Sequence, residues 1–274
     1  MTLKEAYNYG VYFLSANGVD EAEFKSLCLV CHLDGISNSE YSAHKDDDII
    51  MKRFADLLWR VKSGEPLQYV IGKWDFYESE FYVGPGVLIP RPETEELVEL
   101  ALESIDSSVE TVIYDLCSGS GCIGISLAKK LPKAKVYLLE KSEEAFQYLK
   151  KNCRGVENAF PVLTDISNAD FETEQPDVII SNPPYIPTSQ LPELQAEVQK
   201  EPSMALDGGE DGLDFYRIIK NVWLPRLAPC GRIFLEIGED QGEKVLEMFS
   251  GCAETSLKKD IYGNDRMITV LKTS

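Results

Sequence analysis

Histidine is scarce in this chain of 274 residues: His32 and His44 are the only two. Chemistry built on a histidine base or a histidine-rich metal site has little material to use. Long apolar runs are missing as well. None approaches the ~18 residues of a membrane span. The opening Met1-Thr2-Leu3-Lys4-Glu5 lacks the basic-then-apolar order of a secretory signal. The seven cysteines are an odd number without tight spacing, which suits reduced thiols and predicts a cytoplasmic protein. Positive charge is also short. There are 27 Lys and Arg against 46 Asp and Glu, a net charge of −19, and the first 72 residues and the remainder are each acidic. A protein whose main affinity is for a phosphate backbone carries a basic face. The two basic runs here, Lys129-Lys130-Lys133-Lys135 and Lys150-Lys151-Arg154, fall near predicted helix ends, where such side chains are ordinary solvated groups. Stable binding to nucleic acid or membrane is therefore not expected. Internal repeats and low-complexity segments are absent.

What is present is enough apolar material, 44% of residues, for one large domain or a medium one with a small companion. Residues 1–72 read as helical. Thr2-x-x-Glu5 and Asp20-x-x-Glu23 look like capping boxes, and Gly18 is placed to end the first helix. Ile50, Phe54, Leu57, Leu58 and Val61 recur at helical spacing, and Ser63-Gly64-Glu65-Pro66 stops that helix. Cys28-x-x-Cys31-His32 has no second ligand pair, so its cysteines read as core and no metal is expected. Phe76, Tyr77, Phe81, Tyr82 and Val83, with the turn signal Gly84-Pro85-Gly86, predict a β-hairpin within 73–90. Arg91-Pro92-Glu93-Thr94-Glu95 opens a helix to about Ile105, with acids in its first turn where the helix dipole favours them.

From 111 onward strand and helix alternate. Strands are predicted at 111–117, 135–140, 160–165, 177–182, 231–237, 253–258 and 267–272. Helices fit at 122–131, 142–152, 214–227 and 241–250. The pattern predicts an α/β fold, a doubly wound and mostly parallel seven-stranded sheet with helices on both faces.

Candidate chemistry lies at the ends of these strands. Asp115-Leu116-Cys117-Ser118-Gly119-Ser120-Gly121 leaves the first strand and enters a helix, so glycine backbone and free N–H groups can approach a ligand. Glu140 ends the second strand, where a carboxylate can accept from both hydroxyls of a ribose. Asp165 ends the third, in reach of an adenine edge. Together they describe a nucleoside cofactor lying across the strand ends. Gly119-x-Gly121-x-x-Gly124 alone is a weak signal, and tight packing is its competing, less favoured explanation. The fourth strand ends in Asn182-Pro183-Pro184-Tyr185. A residue before proline is held extended, the prolines keep their carbonyl acceptors but donate nothing, and Tyr185 adds a flat face. Such a corner suits a planar –NH2 group, with two acceptors for its two hydrogens. The bland reading is a proline-rich turn.

A fourth strand ending in Asn-Pro-Pro-Tyr resembles the amino methyltransferases. The resemblance extends over nearly the whole chain to the HemK/PrmC family, the N5-glutamine methyltransferases of class I peptide chain release factors. It is carried by Gln68-Tyr69-Val70-Ile71-Gly72, Leu88-Ile89-Pro90-Arg91-Pro92-Glu93-Thr94-Glu95, Asn182-Pro183-Pro184-Tyr185-Ile186, Glu201-Pro202-Ser203-Met204-Ala205-Leu206 and Tyr262-Gly263-Asn264-Asp265-Arg266. The family implies a class I S-adenosylmethionine-dependent methyltransferase fold with its last strand antiparallel. It implies a helical substrate-binding domain at 1–72, a β-hairpin linker at 73–90 and a catalytic domain at 91–274. S-adenosyl-L-methionine is the implied cofactor, S-adenosyl-L-homocysteine its product, and the glutamine of a Gly-Gly-Gln loop the implied target. Cofactor contacts are implied at Cys117, Ser118, Gly119, Ser120, Gly121, Glu140, Asp165, Ile166 and Asn182. Asn182, Pro183, Pro184 and Tyr185 are the implied substrate site, with Asn182, Pro183 and Tyr185 catalytic. The family usually has glycine where this chain has Cys117. A monomer is expected. The same tetrapeptide also serves an adenine-N6 methyltransferase on DNA or RNA, against which the acidic charge argues. A non-catalytic cofactor binder is the third reading, opposed by the presence of Asp115, Glu140 and Asn182.

Overall fold

The computed structural model describes residues 1–168 and 174–273. Contacts divide the chain into two units, 1–73 with 195–200, and 74–194 with 201–274. The first unit is helical: α1 (Leu3–Ala16), α2 (Ala22–Asp34), α3 (Tyr41–His44), α4 (Met51–Lys62) and α5 (Leu67–Ile71). Thr2 caps α1 reciprocally with Glu5, each side chain accepting from the other's backbone N–H at 3.2 and 3.0 Å. The second expected capping box does not form. Glu21 takes the N-cap place with φ of 53°, in the left-handed region, so Asp20 lies one residue outside the cap and α2 starts without a side-chain cap. Gly10 lets α1 approach α2, since a Cβ there would fall 2.2 Å from Ser26 Oγ. Phe54, Leu58 and Val61 bury one stripe of α4. Cys28 and Cys31 are buried thiols of α2, and burial raises Cys31 to about 11. Lys25, buried on the same helix, is paired with Glu197 at 2.5 Å.

In the second unit, β1 (Lys73–Phe76) and β2 (Ser79–Tyr82) form a hairpin. The reversal lies at Tyr77-Glu78, with Tyr77 at φ of 53°, so Gly84-Pro85-Gly86 follows the hairpin rather than closing it. Then come α6 (Glu93–Ser104), β3 (Val112–Leu116), α7 (Cys122–Lys130), β4 (Lys135–Glu140), α8 (Glu143–Asn152), β5 (Ala159–Leu163) and β6 (Val178–Ser181). They are followed by α9 (Asp214–Ile218), β7 (Arg232–Glu236), α10 (Gly242–Phe249), β8 (Ala253–Lys259) and β9 (Asp265–Lys272). The expected single helix over 214–227 is three pieces: α9, a π-helical turn at Ile219–Trp223 and a 3-10 turn at Leu224–Arg226. Pro225 cannot donate to an α-helical ladder, which accounts for the change.

The sheet has the order β5-β4-β3-β6-β7-β9-β8. β3 through β7 run parallel, and β9 is antiparallel to both β7 and β8. β3, β6 and β7 are nearly continuous apolar runs because both faces are covered. On one face Leu97, Val98, Ile123, Leu127 and Leu149 of α6, α7 and α8 pack with Ile113, Val136 and Ile180. On the other, Tyr216, Ile219, Trp223, Val245 and Phe249 pack with Tyr114, Ile179 and Ile233. The chain winds outward from β3 to β5, then returns to place β6 on the other side of β3. That reversal of strand order opens a crevice at the C-terminal ends of β3 and β6, where such sheets bind ligands. The basic runs are internally occupied: Lys130 pairs with Glu78, Lys135 with Glu174, and Lys151 lies over the Tyr82 ring. Among the described residues no helix is long and apolar enough to cross a membrane.

Candidate active site

A cavity of about 200 Å³ opens at these strand ends. Cys117, Ser118, Gly119, Ser120, Glu140, Asp165, Ile166, Asn182 and Pro184 all line it. Of the sequence-expected site residues, Gly121, Pro183 and Tyr185 do not. Gly121 is the left-handed N-cap of α7, and a Cβ there would meet Leu149 and Ile125. Gly124 packs on Leu138 and donates its N–H to Asp115 Oδ2 at 3.0 Å. Two glycines of the run thus serve packing, while Gly119 faces the cavity. Cys117 holds φ of 59°, a left-handed conformation that explains why glycine suits this position. Pro183 is buried. Tyr185 is half-buried, its carbonyl accepts from Gln241 Nε2 at 2.9 Å, and burial raises its phenol to about 12.

The acidic groups are held in different ways. Glu140 is 8% exposed. Its Oε2 accepts from the Gly119 N–H at 2.8 Å and its Oε1 from the Ser142 N–H at 2.6 Å. A carboxylate oxygen can accept more than one hydrogen bond, so the pair can still take donors of a ligand. Burial raises its pKa, and these backbone donors oppose the shift. Asp165 pairs with Lys141 at 2.7 Å and accepts from the Ser167 N–H. Burial pushes its carboxyl up, but the Lys141 and Ser167 bonds prevail and its pKa falls below the usual value. The Trp223 indole donates to the Ile166 carbonyl at 2.9 Å and ties down this loop. Asp115 is fully buried, and its Oδ1 is unpaired among the described residues.

Several participants were not singled out from sequence. Asn182 Nδ2 donates to Thr94 Oγ1 at 3.1 Å, and Thr94 Oγ1 donates to Glu236 Oε2 at 2.6 Å. Thr94 and Glu236 are each 2% exposed, and burial raises Glu236 to about 7. Arg91 pairs with Glu201, whose other oxygen accepts from the Ile89 N–H at 3.0 Å. That ion pair joins the 88–95 segment to the 201–206 loop, and Met204 and Ala205 of that loop line the cavity. The sequence signal for Arg91 and Glu201 was the motifs containing them. Thr94 lies in the same motif as Arg91, but nothing in it pointed to Asn182 or Glu236, and Glu236 carried only the look of a strand end.

Comparison with known proteins gives two family matches. A model described as the methyltransferase small domain matches residues 93–207, and one described as the PrmC N-terminal domain matches residues 5–72. The chain is 37% identical over 253 residues to the release factor glutamine methyltransferase of Moorella thermoacetica, spanning 90% of this chain and 89% of that protein. It is 36% identical over 276 residues to that of Geobacter sulfurreducens, spanning 97% and 95%. Among solved structures, the 16S rRNA N2 G1207 methyltransferase of T. thermophilus, in complex with AdoMet and guanosine, superposes with a TM-score of 0.52 at 20% identity. That match covers 73% of this chain and 49% of the other, and shows a shared fold.

Proposed function

The chain belongs to the family of release factor glutamine methyltransferases, and on that premise we propose that it moves a methyl group from S-adenosyl-L-methionine to the side-chain amide nitrogen of a glutamine in the Gly-Gly-Gln loop of class I peptide chain release factors. The observation that carries this reading is the shared cavity: Asn182 and Pro184 open on the same space as Gly119, Glu140 and Asp165.

The residues fit such a cofactor. The Glu140 carboxylate can still accept from two ribose hydroxyls, Gly119 leaves its Cβ space open, and the Asp165-Ile166 loop is pinned where an adenine edge would lie. When bound, the cofactor supplies a methyl group activated on a sulfonium. The chain's own task is to present a poor nucleophile, since an amide nitrogen delocalises its lone pair into the carbonyl. Asn182 Oδ1 accepts one amide hydrogen, which fixes the nitrogen in direction; the Pro183 carbonyl, on a buried residue that does not line the cavity, is not given the second. Positioning of this kind can contribute roughly 7–11 kcal/mol to a barrier. The same acceptor stabilises positive charge as it grows on the nitrogen. Residues 1–72 are assigned to recognition of the release factor, because the cofactor-like residues all follow 110.

The test is to incubate a purified class I release factor with this protein and S-adenosyl-L-methionine and map the product by mass spectrometry. One methyl on the glutamine of Gly-Gly-Gln is expected. An unmodified release factor, or label appearing in DNA instead, would overturn the reading.

A further inference from the structure

Asn182 is amphiprotic: its carboxamide can turn either its oxygen or its –NH2 toward the cavity. Only the oxygen can receive a hydrogen from a substrate amide. The direction must therefore be set, and the turn after β6 does not set it by itself. A hydroxyl has one proton to give. That of Thr94 is given to Glu236 Oε2 at 2.6 Å, so Thr94 Oγ1 offers Asn182 only lone pairs. The carboxamide must then put its nitrogen on Thr94, which leaves Oδ1 free, and among the described residues no hydrogen bond engages that oxygen.

From this geometry we propose that Thr94 and Glu236 are positioning residues which fix the direction of the Asn182 carboxamide, with Glu236 acting as the ionised anchor. The inference rests on the proposed amide methylation. Its consequence is a switch. With Glu236 protonated, its O–H can donate to Thr94 Oγ1, and Thr94 can then donate to Asn182 Oδ1. The carboxamide turns over and points –NH2 at the substrate's own –NH2, donor against donor. No covalent bond changes, and each proton stays on its oxygen apart from the one that Glu236 takes from solvent.

The neighbours of Glu236 poise it for such a change. Burial is the largest influence and raises its pKa to about 7; Thr94, Arg266 of β9 and Arg91 favour the ionised form, and Glu93 of α6 opposes it. Tyr185, Tyr216 of α9 and Cys122 of α7 face it as neutral groups, with their own pKa values raised by burial. The active direction belongs to the deprotonated form, so activity falls as pH drops through the neutral range.

Thr94→Val, Thr94→Ser and Glu236→Gln test the proposal, measured by single-turnover methyl transfer to release factor at saturating cofactor across pH 6 to 9. The valine variant should lose about 10–100-fold in the transfer rate, with the Kd of S-adenosyl-L-methionine changed less than about threefold. Serine should restore most of the rate. Wild type should show an acid limb near neutrality that Thr94→Val and Glu236→Gln lack. A readout free of activity is the side-chain amide signal of Asn182 in isotope-labelled protein, identified by its loss in Asn182→Ala. It should shift across the same pH range in wild type and stay put in the valine variant. A valine variant with wild-type rate, or an Asn182 signal whose pH response survives Thr94→Val, overturns the proposal. A wild type that titrates at Asn182 but leaves release factor unmethylated contradicts the substrate reading alone.

Discussion

Gly124 donates its N–H to Asp115 Oδ2 at 3.0 Å, and that bond holds a carboxylate whose other oxygen is buried and unpaired among the described residues. Burial raises Asp115 to about 7, against an ordinary value of 3.8, and Glu140 nearby adds to the shift. Glu236 is raised to about 7 in the same way. The folded state thus keeps protons that the unfolded chain gives up between about pH 4 and 7. Stability from these groups is full at the acid end of that window and is lost as pH rises through it.

Wild-type protein without cofactor should accordingly lose stability from pH 5 to pH 8. Asp115→Asn keeps the shape and removes the buried ionisation, so it should flatten that loss by roughly 1–3 kcal/mol. Urea unfolding at the two pH values measures it. Equal losses in wild type and variant would show that Asp115 ionises freely.

Glu140→Ala removes the carboxylate assigned to the ribose. A buried hydrogen bond lost with one partner left unpaired costs about 1–3 kcal/mol, so the Kd of S-adenosyl-L-methionine should rise tenfold or thereabouts. The loop is followed at the same time through the Gly119 N–H, which loses its acceptor. Calorimetry giving an unchanged Kd would place the ribose elsewhere.

On the helical unit, Tyr9, Phe13 and Trp59 form a ring cluster, with Trp59 57% exposed and Lys62 over its face at 4.1 Å. Exposed tryptophan is a common anchor at protein interfaces. Trp59→Ala should raise KM for whole release factor about tenfold while leaving the cofactor Kd unchanged. Identical KM values for the two proteins would remove this face from substrate recognition.

The sheet was legible because its strands are apolar runs of the right length between helical periods, and covering both faces of a parallel sheet demands such runs. The strand-end residues were legible for the same reason: once the strands are placed, Glu140, Asp165 and Asn182 follow them. What sequence did not show is pairing across distance. Thr94 lies 88 residues from Asn182 and 142 from Glu236, and only the packing of α6 beside β7 brings the three together. Glu21 taking the left-handed cap of α2 was equally hidden, since local spacing favoured Asp20. Gly121 looked like a ligand contact in the glycine run, but its neighbours Leu149 and Ile125 come from packing that the run does not encode.

Asn182 is assigned the direction of the reacting amide, and single-turnover methyl transfer by Asn182→Ala measures that role. The account predicts a fall of about 10²–10³ in the transfer rate, because one preorganised acceptor at the reacting centre is gone. The Kd of S-adenosyl-L-methionine, measured on the same folded preparation, should change far less, since Gly119, Glu140 and Asp165 remain. Near-normal transfer by the alanine variant would contradict the account.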